Sequence, residues 1–318
     1  MKLFVGLDVS SEKLDTCFLT DDDDLSILLE KTFPNDLNGA TAIKDQIIKF
    51  TESMIFQKIV IGMESTSLYS FHPATFFQTD KELNQYELVV TVENPFKIKQ
   101  FSRIFDEDKT DRIDAFRIAD YLRLQRYSSS PLKEEKYMAL QRLTRTRYQM
   151  VCQLTEAKQH FLENLTYKCN TLSRELKNGD SPTSVFGAAM IALMTEDYSL
   201  DDFSTMSLDA LAELLQHYGK GRFKSPEKIA EAIKKAVRDS YRLGKLAQES
   251  IDIILACLVK SIQAFQKQIK ILDQAIEDLV VILPEYQCLR SIPGIGPVYA
   301  AGLLAEIGQI ERFEDQAS

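Results

Sequence analysis

Asp111 and Asp114 stand three residues apart, so any helix that contains them carries both on one face, with Lys109 and Arg112 woven among them. Two further acids end short apolar runs: Asp8 in LFVGLDV (3–9) and Glu64 in KIVIGME (58–64). Bringing four carboxylates together is costly unless a cation neutralises them. A hard, all-oxygen donor set of that kind suits Mg²⁺ or Mn²⁺. Two such ions can clamp the attacking and leaving oxygens of a phosphodiester. Lys109 and Arg112 then become candidates for the phosphate backbone beside the ions. Each acid taken alone reads as a surface group; their joint placement is what points to chemistry. Asp108 crowds the same region and is a candidate only for supporting the ligands. Asp21–Asp24 read as a solvated hairpin tip, since no glycine or EF-hand spacing surrounds them.

The elements that must position these acids follow from periodicity. LFVGLDV, KLDTCFLT (13–20) and LSILLEKTF (25–33) are three closely spaced apolar runs, which predicts an antiparallel meander. PND (34–36) opens a helix to about Phe50, with Asn35 or Asp36 as its cap. KIVIGME is a fourth strand, Leu68–Thr79 a helix, and YELVVTV (86–92) a fifth strand. ENP (93–95) breaks that strand before a helical region holding Asp111 and Asp114. Strand, strand, strand, helix, strand, helix, strand, helix is the order of the ribonuclease H-like α/β fold. In such a sheet the first and fourth strands are neighbours, which places Asp8 beside Glu64.

From Pro131 onward the pattern changes to long helices. Residues 131–165 carry a helical apolar set, and Ile251, Ile254, Leu258, Ile262, Phe265, Ile269, Leu272, Ile276, Leu279 and Leu283 recur at intervals of three and four. Such a seam calls for a partner helix, as in a coiled coil, either within the chain or from a second copy. Pro284 is expected to end the long helix. CLRSIPGIGPVYAAGLLAEIG (288–308) then resembles a helix-hairpin-helix, whose glycines, Gly294 and Gly296, would expose backbone N–H groups to a phosphate. The expected organisation is 1–127 catalytic, 131–283 helical coiled coil and linker, and 284–318 the start of an all-α C-terminal part.

Composition narrows the function further. The net charge is −9, yet residues 97–147 hold 13 Lys/Arg against 8 Asp/Glu, and residues 218–245 hold 9 against 3. Basic stretches on an acidic body fit a local polyanion groove. Five scattered cysteines, Cys17, Cys152, Cys169, Cys257 and Cys288, with no C-x-x-C spacing, argue against disulfides and zinc and are expected to be reduced and mostly buried. No apolar run is long enough for a membrane span, and the expected location is the cytoplasm.

At this point the residues resemble a family. GLDVS (6–10), MEST (63–66) and above all KTDRIDA (109–115), together with IPGIGPVYAAGLLAEIG and Phe313 after it, are similar to the DEDD transposases of the IS-one-ten insertion-sequence family. The resemblance implies a RuvC-like N-terminal domain whose metal-binding acids map onto Asp8, Glu64, Asp111 and Asp114. It implies a coiled-coil region that makes a homo-oligomer, and a recombinase that cuts and rejoins DNA under the guidance of a structured RNA. It also implies a nucleophilic serine later in the C-terminal domain. Ser318 lies too early to match it, so no nucleophile is assigned here and the chain is expected to be truncated. Two other readings stay open: a Holliday-junction-resolvase-like nuclease, and a non-catalytic nucleic-acid-binding coiled-coil protein.

Overall fold

The computed structural model describes residues 1–22, 26–65, 68–103, 111–124, 127, 134–195 and 198–309; the side chains of 111–113 lie outside that description. The chain divides into two compact units, one being Met1–Glu134 with the chain from Gly308, the other Glu135–Ile307.

The first unit is built on one mixed sheet of five strands: β1 (Lys2–Val9), β2 (Lys13–Thr20), β3 (Ile27–Pro34), β4 (Lys58–Glu64) and β5 (Leu88–Glu93). Their order is β3-β2-β1-β4-β5. The meander is antiparallel, whereas β4 and β5 run parallel to β1. The ribonuclease H-like expectation fits this sheet. Both faces of β1 are covered, as parallel central strands require. Leu3, Val5, Leu7 and Val9 join one core, with Ile43 and Ile47 of α1 (Leu37–Ser53) and Ala74 and Phe77 of α2 (Phe71–Thr79). Phe4 joins the other, beneath α3 (Pro95–Ser102) and α4 (Asp111–Arg123), with Ile98, Phe101, Ile118 and Leu122.

Local chemistry sets the helix limits. Asp36 caps α1 by accepting the Gly39 N–H at 2.8 Å. The second helix starts at Phe71 rather than the expected Leu68, because Pro73 is tolerated only in a first turn; a start at Leu68 would set its ring against the carbonyl of Tyr69. Gly6 lets α4 lie directly on β1: a Cβ there would stand 2.3 Å from the Ala115 carbonyl oxygen.

Among the described residues of the second unit every regular element is a helix. Its two long helices, α5 (Glu135–Lys168) and α11 (Lys245–Val280), pack side by side, so the partner that the apolar seam demanded includes α5. At one end they enter a core with α6 (Leu172–Asn178), α7 (Ala188–Thr195), α8 (Leu200–Thr205), α9 (Leu208–Gly219) and α10 (Pro226–Asp239). At the other they pack on α12 (Pro284–Arg290) and α13 (Pro297–Ile307), through Tyr137, Leu140, Ile276, Val280, Leu304 and Ala305. Between the two cores the seam thins: Phe265, Ile269 and Leu272 are half-buried. Buried Lys168 ties three helices together, donating to the Met194 carbonyl and pairing with Asp252 at 2.8 Å.

Two expectations need correction here. The long helix ends at Val280, not at Pro284, which instead opens α12 at a first-turn position where its missing N–H costs nothing. Only Cys17 and Cys169 are buried; Cys152, Cys257 and Cys288 are exposed, because paired helices outside a multilayer core bury only one stripe each. All five are free thiols. Among the described residues no helix is long and apolar enough to cross a membrane.

Candidate active site

Strand alternation decides where the acids point. Phe4 and Gly6 of β1 face α4, so Asp8, two residues on, belongs to the same face. Val60 and Gly62 do the same for Glu64 on β4. The register pairs Leu7 with Met63, which sets Asp8 beside Glu64 at the carboxyl ends of two parallel strands. This end of an α/β sheet is where ligands are ordinarily held. Both side chains are half-buried.

The second pair comes from α4. Asp111 is the first residue of that helix and Asp114 lies in its first turn. The side chains of Asp111 and Arg112 lie outside the described residues, as do the whole of Lys109 and Asp108. Asp114 is half-buried, and its Oδ1 stands 3.6 Å from a guanidinium nitrogen of Arg117. Among the described residues no three His, Cys, Asp or Glu side chains are already drawn together as a metal cluster.

The structure adds acids that sequence reasoning missed. Asp15 lies directly opposite Asp8 in the antiparallel ladder, and Glu93 directly beside Glu64 in the parallel one. Four adjacent strands therefore carry Asp15, Asp8, Glu64 and Glu93 in one row on one face. Like charges set side by side across strands are destabilising. The outer two are held to their own surroundings: Asp15 accepts from the Thr32 hydroxyl, and Glu93, only 2% exposed, accepts from the Thr91 hydroxyl at 2.7 Å. Arg117 was missed as well; it is 6% exposed and brings a buried cation to the acid face. The visible signal for Glu93 was its spacing from Val89 and Thr91, but only the register shows that it abuts Glu64. Asp8 and Asp15 also line a shallow cavity of about 210 Å³ with Ser10, Ser11, Glu12 and Lys13.

Cys17, on the same sheet face, is no rival nucleophile. Burial first, and the facing Glu30 second, push its thiol up to about 12, so it stays protonated. At the expected hairpin tip, Asp21 accepts the Lys2 N–H and Asp22 the Ser26 N–H, as turn residues do; Asp23 and Asp24 lie outside the described residues.

In the helical unit, α12 and α13 are joined by the turn Ser291–Gly296. Gly294 has a φ of +91°, which excludes most side chains, and a Cβ on Gly294 or Gly296 would meet nothing within 4 Å. Arg290 donates from Nη1 to the Ile295 carbonyl at 2.8 Å, which fixes the turn and holds a cation beside it. Phe313 and Ser318 lie outside the described residues.

Comparison with known proteins follows this geometry. Residues 5–169 match the model of the IS110-type DEDD transposase family, and residues 286–318 match that of the transposase IS116/IS110/IS902 family. No curated protein matches the sequence. A solved structure of T. thermophilus RuvC in complex with Holliday junction substrate aligns over 39% of this chain and 98% of that one, at 9% identity and a TM-score of 0.28.

Proposed function

This chain belongs to the IS110 family of DEDD transposases, and from that premise we propose that its sheet unit cleaves DNA strands with divalent metal ions at Asp8, Glu64, Asp111 and Asp114. The observation that carries the reading is the placement of Asp8 and Glu64 on adjoining strand ends, on the face that α4 covers with Asp114. The donor set fits Mg²⁺ or Mn²⁺, because all four ligands are carboxylates and the local excess of negative charge needs a cation. When bound, the ions would supply Lewis-acid polarisation of the scissile phosphodiester.

The protein's own residues do the rest. Asp8 and Glu64 sit on strands fixed by ladders on both sides, so their positions hold through a reaction. Arg117 restrains Asp114 from within the core and balances part of the acid charge. Lys109 and Arg112 are assigned to the DNA phosphates flanking the cut. In the helical unit the α12–α13 turn acts as a helix-hairpin-helix, with Gly294 and Gly296 presenting open backbone to a phosphate. The α5–α11 pair serves as the coiled coil through which copies associate, and a structured RNA directs the choice of site. Strand rejoining follows cleavage on this reading.

The test is incubation of the full chain with branched DNA and Mg²⁺, Mn²⁺ or EDTA, with and without the RNA transcribed beside its coding sequence. Cleavage with either ion and none with EDTA is the expected result. Cleavage that persists in EDTA overturns the metal assignment, and identical cleavage patterns with and without the RNA overturn guidance.

A further inference from the structure

The sheet unit holds a second cavity, on the far side of the β1–β2 turn from the acids. Three parts of the chain stand at the same end of the sheet: Ser10–Glu12 after β1, Asn35–Asp36 after β3, and Leu68–Ser70 ahead of α2. Together with the starts of α1 and α2 they enclose about 550 Å³, walled by Ser11, Asn35, Leu37, Tyr69, His72 and Phe76 among others. Ser11 lines both this cavity and the one that holds Asp8. The two are therefore neighbours across a single turn.

The chemistry of the walls differs sharply from that of the acid side. Among the described residues no lysine or arginine lines the cavity, and a carboxylate, Asp36, does, which does not suit a phosphate. Its rim leaves large apolar side chains in water, with Leu37 70%, Leu68 55% and Tyr69 47% exposed. Apolar surface gathered around a cleft marks a binding site. The rim is also pre-formed: the Asn35 side-chain amide donates to the Ser10 carbonyl at 2.8 Å and reaches the Tyr69 carbonyl at 3.5 Å, lacing the three parts together. Polar groups stand at the edge: Ser11, His72, whose ring packs edge-on to Phe71, and Asp36, whose Oδ1 already accepts the Gly39 N–H as the cap of α1. A flat, uncharged group with an aromatic face and a hydrogen-bonding edge fits such walls.

We propose that this cavity takes a nucleobase of the DNA strand whose phosphate lies at the acids, unstacked from its neighbours and laid against Tyr69 and Leu68. The proposal rests on the DNA-cleavage reading above and adds a second subsite to it. A polynucleotide presents alternating charged and aromatic parts, and the β1–β2 turn separates an acid, ion-dependent surface from an apolar one. Bases held out of the stack in this way bind mainly through aromatic contact and are read by groups at their edge.

The experiment uses the full chain and a four-way DNA junction carrying 2-aminopurine at one position at a time around the branch, with Ca²⁺ in place of Mg²⁺. The expected result is a fluorescence change at one or two adjacent positions. Tyr69→Ala should abolish that change and weaken junction affinity about tenfold, the loss of one stacked base. A junction made abasic at the responding position should bind the wild-type chain and Tyr69→Ala equally, because the partner of Tyr69 is then already gone. Leu37→Asp, at an exposed rim position, should reproduce the loss. A bound junction with no position-specific response overturns the subsite while leaving the cleavage reading intact. So does an affinity loss in Tyr69→Ala that persists on the abasic junction. A junction that is neither bound nor cleaved removes the DNA reading and the subsite together.

Discussion

The sheet unit and the helical unit gather their candidate site residues in opposite ways. In the sheet unit Asp8, Asp15, Glu64 and Glu93 come from four strands and fall in one row only because the ladder register aligns them. In the helical unit the turn that holds Gly294 and Gly296 lies between two consecutive short helices and needs no distant residue. A site of the first kind depends on the whole fold, and a site of the second kind on its own few residues. Separate cores make the contrast testable, since the sheet layers and the helical bundle bury different side chains.

The largest expected effect is on the helical core. Phe161 is 1% exposed and packs with Leu165, Leu255 and Val259 in one cluster. Phe161→Ala should cost about 3–5 kcal/mol there. Denaturation followed by probes in each unit should show the helical transition moving while the sheet transition stays; if both move together, the units are not independent.

Next comes the acid row itself. Asp8→Asn should slow metal-dependent cleavage at least about a hundredfold, the upper end of what supporting residues of a metal site contribute. Asp15→Asn, one strand over and already bonded to Thr32, should cost less than about tenfold. Equal losses in the two variants would mean that the row acts as one field rather than through chosen ligands. Gly6→Ala tests the frame beneath it: with backbone atoms of Ala115 and Ala119 2.3 and 2.4 Å from the added carbon, α4 must shift, at a cost of about 1–3 kcal/mol. Activity should fall further than stability, because Asp111 and Asp114 move with that helix. In the helical unit, Gly294→Ala should cost about 1 kcal/mol through its positive φ alone. It should leave cleavage chemistry untouched and weaken nucleic-acid binding, readable by comparing binding and single-turnover rates.

The same contrast explains how much the sequence revealed. The positions of Asp8 and Glu64 at strand ends, and of Asp111 and Asp114 on one helix, were legible because each carries a local sign: the end of an apolar run, or a three-residue helical spacing. Strand order and the PGIGP turn were legible for the same reason. Asp15 and Glu93 were not, since a carboxylate in a strand declares its face but not its neighbour, and neighbours are a property of register. Arg117 was hidden among the solvent-facing charges of a basic stretch. The cavity behind the β1–β2 turn draws on three segments far apart in sequence, and no single one of them suggests it. The α11 seam shows the converse: its regular spacing was plain, while the thinning of burial between the two cores depends on what packs around it.

The smallest effect expected is electrostatic and lies in the sheet unit, at the join of α1 with the turn after α2. Lys44 bonds Glu82 at 2.7 Å and stands 3.4 Å from Asp80. The hydrogen bond to Glu82 raises the Lys44 ammonium above its ordinary range, against partial burial and with help from Asp80. Burial alone would raise the Asp80 carboxyl, but the N–H groups of Leu83 and Glu82, and then Lys44, hold it below the usual 3.8. The two shifts have opposite signs. Asp80 contributes stability that is present above its unfolded value and is lost as pH falls through its lower folded value. Lys44 contributes stability that is present below 10.5 and is lost as pH rises through its higher folded value. Lys44→Met should therefore lower the melting temperature slightly across the neutral plateau, with the difference from the unmodified chain shrinking in acid as Asp80 protonates. Partly exposed pairs contribute little in salt, so the difference should also narrow as ionic strength rises. A difference that holds at low pH and in high salt would assign the role of Lys44 to the packing of its methylene stem rather than to its charge.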